Sequence, residues 1–279
     1  VLTSIPVLQV SDTHRALGNL ANVNRRKSDA TVIALTGSQG KTTVKEMVGA
    51  ILSNRAKTLI TNKNLNNTIG VPLTLLRLMD EQFAVIEMGA NGAGEIAFSV
   101  AITKPDIVLI TKASAAHIEG FGSLQGIVEA KGEIIDGIGD LGIAVLNADD
   151  DNVEQWLRRA ESKKTVLFSL LEKAESQYFA SEIDLSNVGE VAFELHSPQG
   201  SVSIQFNMMG EHNVANAVSA AALALEVGAN LEDVAKGLAS LSSIEGRLKL
   251  RRGINGCTLI DDTYNASPDS FFSAIDALM

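Results

Sequence analysis

The stretch TVIALTGSQGKTTVKEMVGAIL, Thr31 to Leu52, decides how this chain folds. TVIAL is a short unbroken apolar run, the pattern of a strand buried on both faces of a parallel sheet. TGSQGKTT, Thr36 to Thr43, then turns through Gly37 and Gly40 and opens the helical pattern KTTVKEMVGAILSN. A glycine loop between strand and helix aims backbone N–H groups at one point, and the helix N-terminus adds a favourable dipole, so the loop suits an anion such as phosphate. In that geometry Lys41 reaches the β- and γ-phosphates as a point charge, and the Thr42 hydroxyl meets the Mg²⁺ that bridges them. The usual pattern G-x-x-x-x-G-K-[ST] fails at its first position, where Leu35 stands. The competing reading is a Gly-rich turn with a surface lysine, and GKTT placed directly after an apolar strand argues against it.

Outward from this unit the same alternation repeats. Strand AKTLITN, helix VPLTLLRLM, strand FAVIEMG, helix GEIAFSVAIT, strand DIVLITK, helix SLQGIVEAKGEIIDG, strand GIAVLNADD and helix NVEQWLRRAE follow in turn. Strands joined by helices of crossover length predict an α/β fold, a doubly wound and mostly parallel sheet of P-loop type. From about Lys164 to Met209 the runs TVLFSL, VAFELH and SVSIQF, with the turn SPQG, predict a small antiparallel flap. Helix EHNVANAVSAAALALEVG, ended by Gly228, precedes helix NLEDVAKGLASL, which Asn230 can cap. Before the first strand lie a β-like piece, VLQV, a helix near Thr13 to Asn24 and a basic connector, RRKSD; GRLKLRRGINGCTLIDD supplies late strands and SPDSFFSAIDALM a last helix. The expected organisation is the end of a preceding domain and linker in residues 1–30, a central nucleotide-binding domain in 31–250, and the start of a further domain in 251–279.

Composition narrows the partners. The 279 residues are 46% apolar but only 4% aromatic, so the core is built mainly from Ala, Val, Leu and Ile. A formal net charge of −10 argues against nucleic acid or an anionic membrane surface as partner. An anionic ligand must therefore be met by a local positive site. The lone cysteine, Cys257, forms no internal disulfide, and no targeting segment or membrane-length apolar run is evident, so a cytoplasmic monomer is expected.

Two more strand ends carry chemistry. FAVIEMG puts Glu87 where a carboxylate would meet the same hard cation as Thr42. The run after DIVLI carries His117 at the carboxyl edge of the sheet, where ligands of open α/β sheets collect. In the next helix Glu129 and Glu133 flank Lys131 in sequence, which reads as a lysine crowded by carboxylates. Taken singly, each of these has an ordinary structural reading.

Together they do not. TGSQGKTTVKEM, NLNNTIGVPLTLLRL, VIEMGANGAGEI, AAHIEGFGSLQGIVEAKGEI, LNADD, GEHNVANAVSAAALAL, GRL and LIDDTYNASPDS, in this order, resemble the Mur ligases of peptidoglycan synthesis, over nearly the whole chain from about Ile5. That family uses the shortened loop G-x-x-G-K-[ST]-[ST], which accounts for Leu35. EMGANGAGEI with HIEGFGS, and Tyr264 where relatives carry a lysine, favour the branch that adds D-alanyl-D-alanine to UDP-N-acetylmuramoyl-tripeptide. Another Mur-type ligase, a folate polyglutamylating relative, or a P-loop module without ligation remain the alternatives.

The resemblance implies an ATP-dependent amide ligase working through an acyl phosphate. Gly37, Ser38, Gln39, Gly40, Lys41, Thr42 and Thr43 would hold the triphosphate, Thr42 with Glu87 one Mg²⁺, and His117 a second. Lys131 matches a lysine that family members carbamylate, which would make it a metal-organising group. Lys41, Glu87, His117 and Lys131 are thus the expected catalytic residues. Asn213 and Asn216 match adenine-side contacts, Arg247 a phosphate contact and Asp262 a ribose contact, while Asn66 and Asn67 would line the ATP pocket.

Overall fold

The structure, a computed structural model, describes residues 6–114, 118–241 and 243–277. Helix α1 (Thr13–Arg25) is capped by the Asp12 side chain, which accepts from Arg15 N. Strand β1 (Thr31–Thr36) and helix α2 (Lys41–Ser53) form the unit read from the sequence, with the loop between them. There follow β2 (Thr58–Ile60), α3 (Gly70–Leu75), β3 (Phe83–Glu87), α4 (Glu95–Thr103), β4 (Ile107–Ile110), the short α5 (Ile118–Phe121), α6 (Leu124–Asp136), β5 (Ile143–Asn147), α7 (Val153–Arg159) and β6 (Lys164–Phe168). The six strands pair in parallel in the order β2-β3-β1-β4-β5-β6.

Period-two alternation along the strands builds two cores. Ile33, Leu35, Val85, Leu109 and Val145 face one side, while Val32, Ala34, Ala84, Ile86, Val108 and Leu146 face the other. The first face is covered by Val44, Met47, Val48, Ile51 and Leu52 of α2, by helix α8 (Glu211–Glu226), rich in buried alanine, and by Val234 and Leu238 of helix α9 (Leu231–Ala239). The second is covered by α1, α3, α4, α6 and α7. Both faces of the sheet are apolar because both are buried, as a doubly wound fold requires. Asn230 caps α9 through a capping box with Asp233, as its position before the helix predicts.

The flap differs from its sequence reading. TVLFSL is the sixth parallel strand, β6, whose backbone pairs with β5. The antiparallel flap is instead β7 (Phe179–Asp184), β8 (Val191–Ser197) and β9 (Gly200–Phe206), with SPQG turning between the last two. An edge strand of a parallel sheet has one partner and a partly exposed face, so β6 alternates like an antiparallel strand. FASEID is polar on its outer face and its pairing with β8 is shifted between Ser181 and Asp184, which hid β7. VLQV forms no strand; Val7 and Leu8 are exposed, and no strand among the described residues pairs with it. The chain closes with the antiparallel hairpin β10 (Lys249–Arg252) and β11 (Thr258–Asp261) and with helix α10 (Pro268–Asp276), capped by Ser267. No helix among the described residues is long and apolar enough to cross a membrane.

Candidate functional site

From β1 the chain builds β2 and β3 on one side and then crosses β1 to build β4 on the other, so a crevice opens at the carboxyl ends of these strands. A cleft of about 460 Å³ occupies that place. Its floor is the loop 37–43, which the surrounding chain holds in shape. Ser38 N donates to Lys112 O at 2.7 Å, the Ser38 hydroxyl exchanges hydrogen bonds with Ser114, and the Thr111 hydroxyl donates to Gln39 O at 2.5 Å. Gly40 begins α2 at φ +80, a conformation L side chains rarely adopt, and a Cβ there would lie 2.5 Å from Asn216 Oδ1. At Gly37 a Cβ would collide with the Thr111 hydroxyl at 1.8 Å. Both glycines are thus required by close approach as well as by the turn.

Lys41 folds over this floor, donating to Gly37 O at 2.7 Å and Ser38 O at 3.4 Å. Burial holds its ammonium below the usual lysine range; Glu87 opposes that shift and Arg247 adds to it. Register sets Glu87 beside Leu35, at the edge from which the loop departs. Glu87 is 1% exposed, and its Oε1 accepts from the Thr42 hydroxyl at 3.2 Å and from Asn66 Nδ2 at 2.7 Å. Asn67 uses its Oδ1 on the amides of Ile69 and Gly70, so it shapes the entry to α3 while still lining the cleft.

Lys131 reaches the cleft from α6 and is 5% exposed. The expected crowding by carboxylates is absent. Glu129 accepts from Gln125, and Glu133 accepts from the amides of Gly94 and Ala97 at the start of α4. Residues two apart on a helix point to different faces, so sequence proximity did not become contact. Burial, with the nearby Lys41 cation acting in the same direction, pushes the Lys131 ammonium down to about 7. His117 lies outside the described residues.

The opposite wall comes from α8 and from residues 246–274. Asn213 donates to Met209 O at 2.7 Å and accepts from Asn216 at 3.1 Å, so the buried Asn213 aims Asn216 at the loop. Burial holds the neighbouring His212 below its usual range, against the pull of Asp262. Arg247 donates to the Thr42 hydroxyl at 3.0 Å and lies 4.5 Å over the Tyr264 ring. Asp262 Oδ1 accepts from Leu248 N at 3.3 Å, and Gln39 Nε2 donates to Ser267 at 3.3 Å. Every expected site residue within the described chain therefore borders one cleft. Sequence reasoning assigned no role to His212, which stands inside the quoted GEHN motif, or to the Gln39–Ser267 link, which spans 228 positions and leaves no local signal.

Hard oxygen donors are in place for a small divalent cation. Thr42 and Glu87 offer a hydroxyl and a carboxylate side by side, and Mg²⁺ is commonly held by one or two such groups with phosphate oxygens and water completing the set. No group of three or more His, Cys, Asp or Glu gathers as a metal site among the described residues.

A family model described as the Mur ligase middle domain matches residues 35–224. UDP-N-acetylmuramoyl-tripeptide--D-alanyl-D-alanine ligase of Escherichia coli K12 is 46% identical over 275 residues, covering 98% of this chain and 60% of that protein. The crystal structure of MurF from Acinetobacter baumannii superposes with a TM-score of 0.93 at 42% identity, covering 98% of this chain and 61% of that one. MurF ligase from Thermotoga maritima in complex with ADP gives 0.85 at 29% identity, covering all of this chain and 64% of that one. The chain thus spans about 60% of the length of the curated relatives it matches.

Proposed function

This chain belongs to the Mur ligase family, and from that premise we propose that it is the ATP-binding part of a cytoplasmic ligase joining D-alanyl-D-alanine to UDP-N-acetylmuramoyl-tripeptide. The reading rests on one observation: the loop 37–43, Glu87, Lys131, Arg247 and Asp262 all border a single cleft. A peptide carboxylate is a poor acyl donor until phosphorylation turns one of its oxygens into a leaving group. The D-alanyl-D-alanine amine then attacks the acyl carbon and phosphate departs. The protein's part is to position the reactants and neutralise charge.

The amides of Gly40 to Thr43 and the Lys41 ammonium grip the outer phosphates. Lys41 gives up its bonds to Gly37 O and Ser38 O to do so. Thr42 and Glu87 would hold Mg²⁺, which when bound would neutralise charge on the phosphates. With its hydroxyl turned to a cation, Thr42 would no longer accept from Arg247, whose guanidinium would then be free for phosphate. Asn66 steadies Glu87, Asn213 and Asn216 line the base side, and Asp262 receives the ribose.

Lys131 takes a further role. A buried lysine facing another cation, with no acceptor bonded to it among the described residues, is poised to react as its neutral amine. That amine adds to the carbon of CO₂ and releases one proton, leaving an anionic carbamate. Repulsion from Lys41 becomes attraction, and the new oxygens can help His117 organise a second Mg²⁺. The test is phosphate release on adding UDP-N-acetylmuramoyl-tripeptide and D-alanyl-D-alanine together with ATP, in a protein that also carries the rest of the relatives' length. Release that requires both acceptors is expected; ATP hydrolysis indifferent to them would favour a P-loop module without ligation.

A further inference from the structure

Helix α2 carries a second lysine that no step above uses. Lys45, one turn beyond Lys41, is 0% exposed although charged, and it interrupts the apolar face VKEMVGAIL. Its Nζ lies 2.9 Å from Glu46 Oε1 and 3.9 Å from Glu87 Oε2. Among the described residues it makes no hydrogen bond, and Glu87 Oε2 is likewise buried without one. A buried ammonium is costly unless opposite charge sits beside it. Glu46 is the adjacent residue and remains partly exposed, so it gains little from drawing a lysine inside. Glu87 is almost fully buried and stands at the cleft.

The two oxygens of Glu87 are divided between two environments. Oε1 faces Thr42 and Asn66, and Oε2 faces Lys45. We propose that Lys45 is a positioning residue that draws Glu87 Oε2 away from the cleft, so that the carboxylate offers a cation Oε1 alone and the site selects Mg²⁺ over Ca²⁺. The inference rests on Thr42 and Glu87 being metal ligands. Mg²⁺ demands near-octahedral geometry and is well served by single carboxylate oxygens, whereas Ca²⁺ takes more ligands and readily accepts both oxygens of one carboxylate. With Oε2 tethered inward by charge, the arrangement that favours Ca²⁺ is closed off. Without that tether the carboxylate turns and both oxygens become available.

The test is direct binding, read without turnover. Bound Mn²⁺ is followed by electron paramagnetic resonance in the presence of a nonhydrolysable ATP analogue, and Mg²⁺ and Ca²⁺ are titrated as competitors. Lys45→Met keeps the length and removes the charge, and the preference for Mg²⁺ is expected to fall roughly tenfold, mostly through stronger Ca²⁺ competition. Glu46→Gln is expected to leave the preference unchanged. If Lys45→Met weakens both ions equally, or changes thermal stability alone, the proposal is overturned and Lys45 is only a structural ion-pair partner. If Mn²⁺ binds as well to Glu87→Gln and Thr42→Val as to the wild type, the metal site itself has been misplaced, a distinct failure. Should Lys45→Met not fold, crystals of the wild type with Mn²⁺ and the analogue decide: one Glu87 oxygen on the ion supports the proposal, and two overturn it.

Discussion

The wall of the cleft built on the sheet edge is buried and cross-linked, whereas the wall built from residues 246–277 is open and lightly tied. On the first, Glu87 and Lys131 are nearly inaccessible, and the loop is bonded to Lys112, Ser114 and Thr111. On the second, Tyr264 is 53% exposed, Phe271 62% and Phe272 64%, and its hydrogen bonds to the loop include Arg247 to Thr42 and Gln39 to Ser267. Few buried contacts mean low local stability, so the second wall can shift while the first cannot. A rigid phosphate floor beneath an adjustable cover is the arrangement expected of an enzyme that closes over its nucleotide.

The largest test of the rigid wall is pH. Because the folded protein holds Lys131 near 7 while the unfolded chain titrates at its ordinary value of 10.5, the unfolded state binds an extra proton between those limits. Stability in CO₂-free buffer should therefore rise with pH across that window, by up to ~1.4 kcal/mol per unit from this group, and level off below about 7. Lys131→Met should remove that contribution in urea melts, and bicarbonate should blunt it in the wild type. Equal slopes for the two proteins would mean that Lys131 is not held as described.

Next in size, Lys41→Ala should weaken an ATP analogue by ~2–3 kcal/mol in calorimetry with little change in melting temperature, because a desolvated charge contact to phosphate is lost. Gly40→Ala should cost about 1–2 kcal/mol of stability, since φ +80 is strained for alanine and its Cβ meets Asn216. Smallest of all, Tyr264→Leu on the adjustable wall should weaken the analogue by only ~0.5–1 kcal/mol, the worth of an exposed cation–π contact, with stability unchanged. A Tyr264 effect as large as that of Lys41 would erase the distinction between the walls.

The same division explains what the sequence reveals. Strands buried on both faces and helices between them leave a strong periodic signal, so the parallel sheet and the phosphate loop were legible from Thr31 onward. Each motif residue at a strand's carboxyl end converges because parallel strands bring those ends together. Legibility fails where contacts are long-range or the pattern is shared. The edge strand β6 looks antiparallel, β7 hides behind Ser181, Glu182 and Asp184, and Glu129 and Glu133 turn away from Lys131. Lys45 did carry a signal, a charge inside an apolar helix face four residues after Lys41, but only the fold sets Glu87 beside it.

The central claim is that the loop around Gly40 and Lys41 grips the outer phosphates of a nucleotide beside Glu87 and Lys131. Diffraction from crystals grown with Mg²⁺ and a nonhydrolysable ATP analogue tests it most directly. The expected map has the β- and γ-phosphates on the amides of Gly40 to Thr43, with Lys41 Nζ moved from Gly37 O onto phosphate oxygen. Phosphates bound elsewhere, with Lys41 still bonded to the loop carbonyls, would contradict the account.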